Sequence, residues 1–131
     1  MSIRTTLLVM ALTVTASALA QEPTFTYTSS SGTTLKGHLK CLSQDGKMSV
    51  TEPQDGNVFA VDISEVESMV LTKRQPPYTT KCSSYSNVEV VLSDKSKVAG
   101  CLSPYEVQFV TPKTTMQSVT TSTGKFVRDK Q

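Results

Sequence analysis

The stretch "VEVVLSDKSKVAGCL" (residues 88–102) and the stretch "FTYTSSSGTTLKGHL" (residues 25–39) lie 63 positions apart and superimpose without a gap. Each alternates apolar and polar residues, breaks at a turn cluster, and alternates again through a glycine. Period-two alternation is the signature of a strand with one wet side, so each stretch reads as a β-hairpin. In the first, Leu35, Gly37, Leu39 and Cys41 share one face, and Lys36, His38 and Lys40 share the other.

The pattern extends outward from both hairpins. Asp45-Gly46 signals another hairpin turn, because glycine tolerates positive φ. "KMSV" (47–50) then returns with Met48 and Val50 inward, and "NVFAV" (57–61) follows a loop containing Pro53. "DISEVESMVL" (62–71) carries two signals. Ser64 and Glu67 have capping-box spacing, but ten residues is marginal for an isolated helix. A tight turn at 64–66 and a strand at 68–71 are the expected outcome. Residues 72–87 hold Pro76-Pro77, which disfavours helix and central strand, and read as a linker. Strands are then expected at 88–92, 97–102, 106–110 and 117–121, with a kink at Pro104 and a terminal "KFVR" at 125–128.

The chain therefore divides into a first β-unit at 21–71, a linker at 72–87 and a second β-unit at 88–131. Past the glycines the second copy is four residues shorter, so Met48 falls on Val107, Val50 on Phe109 and Pro53 on Pro112. A duplication explains the shared inward positions and the shared glycine. The competing explanation is that alternation aligns any two hairpins.

A strand of the form apolar-x-Gly-x-apolar after a hairpin, then two strands, a short turn and a last strand, resembles the small SH3-like or Sm-like β-barrel. The resemblance implies an all-β fold: two short antiparallel units, either separate or sharing one core, each bent at Gly37 or Gly100. "DGKMSV" (45–50) is similar to the acidic-x-x-Met-Asn-apolar element of Sm-like proteins, but Ser49 stands where their RNA-contacting Asn would be. Their Arg-Gly element is also absent around 58–63. The resemblance thus supports the fold and lends little to nucleic-acid binding.

The N-terminus reads as a bacterial secretory signal peptide at 1–20. Arg4 supplies the positive charge, "LLVMALTV" (7–14) the apolar run, and Ala18 and Ala20 the small residues before a cut between Ala20 and Gln21. A membrane anchor needs about 20 apolar residues, and this run is too short. The periplasm or the extracellular space is the expected location, without membrane insertion.

Charge separates by halves. Residues 22–71 carry seven acidic and three basic side chains, and residues 72–131 carry nine basic and four acidic ones. The halves are opposite in sign, which suits halves that face each other or copies that pack head to tail. No run of Lys or Arg is dense enough for a nucleic-acid stripe.

Cys41, Cys82 and Cys101 in an exported chain suggest one disulfide and one leftover thiol. Cys82–Cys101 is the favoured pair, leaving Cys41 unpaired. It would close a loop of about 20 residues and add roughly 3 kcal/mol in the chain-entropy estimate. Cys41–Cys82, Cys41–Cys101 and an intermolecular bridge remain open. Parity places Cys41 inward and Cys101 at the surface. His38 and Cys41 fall on opposite strand faces, so no metal site is expected.

No catalytic residue and no cofactor is assigned. His38 is the sole histidine and reads as a surface residue, and no Gly-x-Ser-x-Gly elbow or phosphate-cradling loop is present. The expectation is a non-enzyme: an exported interaction or envelope-assembly module whose edge strands meet another protein or its own copy. The alternative is a secreted inhibitor or effector using an inserted loop at 52–57 or 75–86. Nucleic-acid binding ranks last.

Overall fold

The computed structural model describes residues 22–73, 82, 86–102, 106–119 and 123–130. The signal-peptide reading at 1–20 and the Pro104 kink lie outside the described residues, as does most of the 72–87 linker. Ten strands form: β1 (Phe25–Ser29), β2 (Thr34–Cys41), β3 (Lys47–Thr51), β4 (Val58–Asp62), β5 (Val66–Lys73), β6 (Ser86–Leu92), β7 (Lys97–Leu102), β8 (Val107–Val110), β9 (Thr115–Met116) and β10 (Gly124–Arg128). A single 3-10 turn, Ile63–Glu65, stands between β4 and β5. Asp62 caps its start by accepting from the Ser64 amide at 3.0 Å and the Ser64 hydroxyl at 2.9 Å. The turn ends at Val66, whose backbone is extended and opens β5, paired with β6 and β10.

The all-β expectation holds. All the strands are antiparallel and join in one open sheet of order β4-β3-β7-β6-β5-β10-β1-β2-β8-β9. Strands of the two halves are thus interleaved rather than gathered into neighbouring units. One buried cluster draws on both halves, including Phe25, Met48, Met69, Val90, Phe109 and Phe126. The faces of β2 and β3 are as alternation dictates: Leu39, Met48 and Val50 are buried while Lys36 and Lys40 are exposed.

Replacing each strand by the one five places later or earlier reverses this order and changes nothing else. The registers obey the same exchange. Phe25 faces Gly37, and Val88 faces Gly100, both members displaced by 63 residues. His38 faces Val110, and Cys101 faces Thr51, displaced by 63 and 59. Val50 faces Phe59, and Phe109 faces Met116, displaced by 59 and 57. Met69 faces Phe126, 57 residues away, so that pair is its own counterpart.

Glycine makes the interleaving sterically feasible. β2 pairs with β1 up to Gly37 and with β8 from His38 onward. β7 likewise pairs with β6 up to Cys101 and meets β3 at Cys101 and Leu102. A Cβ on Gly37 would collide with the Val110 carbonyl, and one on Gly100 with the Thr51 carbonyl. Backbone atoms cannot swing aside as a flexible side chain can, so both positions need a residue without Cβ.

Three details differ from expectation. Cys101 is buried, although parity puts it on the wet face. Parity counts one covered face, but here Cys82 covers the second face of β7. Of the strand expected at 117–121, residues 117–119 are not strand, with Ser118 and Val119 buried. The two-residue β9 stands before them at Thr115–Met116, and 120 and 121 lie outside the described residues. β5 and β6 also run further than expected, to Lys73 and from Ser86, because they pair with each other along that length.

Candidate functional site

The two glycine crossovers each open a surface groove. The first, about 470 Å³, is lined by Thr24, Lys36, Gly37, His38, Pro112 and Asp129, among others. The second, about 410 Å³, is lined by Pro53, Thr72, Asn87, Ala99 and Gly100, among others. These are the same place in the two halves. Thr24, Lys36 and Gly37 correspond to Asn87, Ala99 and Gly100, Pro112 to Pro53, and Asp129 to Thr72, under the displacements that relate the strands.

Their chemistry differs. In the first groove Lys36 Nζ lies 3.8 Å from Asp129 Oδ2. In the second both members of that ion pair are replaced, by Ala99 and Thr72. The Thr26 hydroxyl donates to Asp129 Oδ1 at 2.6 Å and the Thr24 hydroxyl to Oδ2 at 3.1 Å. The Thr26 contact foremost holds the Asp129 carboxyl below its ordinary range, helped by Thr24 and by the Lys36 charge.

His38 and Cys101 are also counterparts, and each ties down the segment that leads into its half. His38 Nδ1 lies 2.8 Å from the Pro23 carbonyl, which can only accept, so Nδ1 carries the hydrogen. Cys101 is bridged to Cys82 with a Cα–Cα distance of 5.9 Å, and both sulfurs sit near the Thr51 carbonyl. His38 is therefore engaged with backbone in the first groove.

Cys41 is the free cysteine. It is half-buried against the core rather than fully inward. Burial, with the Glu106, Asp62 and Asp45 charges, pushes its thiol up to about 11. A thiol is a nucleophile only as thiolate, so Cys41 is poorly reactive at neutral pH. Among the described residues no three His, Cys, Asp or Glu side chains are placed to hold a metal ion, and no helix is long and apolar enough to cross a membrane.

The two ends of the sheet are unequal. β9 is two residues long, whereas β4 offers five residues of edge, with Val58 61% and Phe59 44% exposed. The loop at 52–57 beside β4 is closed on itself. The Glu52 amide donates to the Asn57 carbonyl at 2.8 Å, the Gly56 amide to the Glu52 carbonyl at 2.9 Å, and Asn57 Nδ2 to Glu52 Oε1 at 3.1 Å. At Ser49, the position of the Sm-like element, the amide donates to Glu106 Oε1 at 2.8 Å. An acidic side chain therefore occupies that surface.

Sequence reasoning singled out Cys82, Cys101 and His38 but missed the Lys36–Asp129 pair and the β4 edge. The pair joins residues 93 apart and leaves no local signal. "NVFAV" is four apolar residues in a row after Asn57, so nothing in it marks Phe59 as uncovered. Comparison of the chain with family models, curated proteins and solved structures finds no match.

Proposed function

We propose that the protein is an exported, non-catalytic module that binds another protein by accepting a strand at β4. The exposed edge strand β4, with Val58 and Phe59 exposed on its two opposite faces, carries this reading. A free edge offers a row of backbone donors and acceptors, and exposed apolar side chains add contact area. The Cys82–Cys101 bridge suits an oxidising compartment such as the periplasm or the extracellular space. We further read the halves as a duplicated SH3-like unit whose strands have exchanged partners. Support comes from the reversible strand order and the matching registers.

Native-tag purification from bacterial envelope extracts, repeated with a Val58→Lys, Phe59→Glu variant, tests the binding reading. A partner retained by the natural chain and lost by a variant with unchanged circular dichroism is the expected result. Recovery of monomer alone in every extract would count decisively against it.

The self-closed loop at 52–57 favours a second reading, a secreted inhibitor that inserts this rigid loop into an enzyme cleft. A loop-shortened variant that keeps full inhibition would remove that reading. Nucleic-acid binding stays last, because Glu106 would repel phosphate at Ser49.

A further inference from the structure

Of the nine strand pairings, four are hairpins within one half: β1–β2, β3–β4, β6–β7 and β8–β9. The other five cross between halves: β1–β10, β5–β10, β5–β6, β2–β8 and β3–β7. β5 has no neighbour from its own half, and neither has β10. A half left to itself would be two hairpins and a lone strand, and an isolated hairpin is marginal in water. Each half is therefore completed by the other. The surfaces that meet are equivalent, as the registers show.

We infer that the partner fitting this inter-half surface is a second copy of the chain, exchanged half for half. Residues 22–73 of one copy would pair with 86–130 of the other, and the reverse, building the same ten-stranded sheet twice. Every pairing in such a dimer already exists in the monomer, so the exchange costs only the connection and the dilution of two chains. The Cys82–Cys101 bridge does not oppose it, because Cys82 and Cys101 travel with the same half. Just eight residues connect Lys73 to Cys82, with Pro76-Pro77 among them. A short hinge between two halves biases a chain toward exchange.

The test uses Thr28 and Lys125, both exposed and directly opposite on β1 and β10. One copy of the full chain carries Thr28→Cys and a second carries Lys125→Cys, both with Cys41→Ala. They are unfolded together with the native bridge intact, refolded at high and low concentration, and oxidised. The control is one chain carrying both substitutions, which should bridge to itself. The expected result is a covalent mixed dimer with native circular dichroism, its yield rising with concentration. A control that bridges beside a mixture that stays monomeric at every concentration overturns the inference. So does a control that never bridges, because it removes the β1–β10 pairing on which the inference stands.

Discussion

At the first crossover the segment leading into β1 is held to β2 by a hydrogen bond between His38 and the Pro23 carbonyl. At the second, the counterpart of His38 is Cys101, and the lead-in is held by a covalent bridge to Cys82. Water can replace a hydrogen bond transiently, but it cannot replace a disulfide. The first end should therefore open more readily than the second under oxidising conditions. The scaffold at the two places is shared, down to the glycine and the proline. What differs is what surrounds them, an ion pair on one side and neutral residues on the other.

The equivalence breaks most decisively at the glycines. Gly37→Ala and Gly100→Ala should each cost about 3–5 kcal/mol, read from urea unfolding, because each new Cβ meets backbone. Similar costs sustain the equivalence; one tolerated substitution would end it. Next comes the bridge. A Cys82→Ser, Cys101→Ser variant should lose roughly 3 kcal/mol, and hydrogen exchange should accelerate at the β3–β7 crossover while the β2–β8 crossover stays protected. The hairpin turns give a smaller contrast. Gly32 has φ +94°, and its counterpart 63 residues on, Lys95, has φ +72°. Gly32→Ala should cost about 1 kcal/mol. Lys95→Gly should be nearly neutral, since backbone relief is offset by loss of the exposed Glu67 ion pair at 2.7 Å.

The smallest contrast is in pH. Asp129 has its folded pKa below the ordinary value, so its contribution is in place above the ordinary aspartate range. It is lost as pH falls through that lowered value. Thr26→Val should move the Asp129 midpoint back toward ordinary, as followed by carboxyl NMR. A midpoint that does not move would show that the Thr26 hydroxyl is not the principal cause.

Strand identity was legible because alternation is local, and Leu35 to Cys41 or Met48 to Val50 reveal their faces without help. Partner choice was not. Nothing within β2 says that His38 to Cys41 will lie against β8 of the other half. The displacement between the hairpins was visible, and so were the glycines, but their collision partners Val110 and Thr51 belong to distant strands. Cys101 misled for the same reason. Its burial depends on Cys82, which lies 19 residues away and outside any strand pattern.

Met69 and Phe126 carry one last consequence. In an assembly of two identical chains, the place where an axis crosses a strand pair must hold two identical side chains. Here a thioether faces an aromatic ring, and both are buried. One peptide connection is what allows the unlike pair. The seam can then be filled by volumes that differ yet fit, a freedom closed to a homodimer whose axis passes through that pair. A substitution at either position is felt by both halves at once, so the centre of this sheet is where the halves cannot drift apart independently.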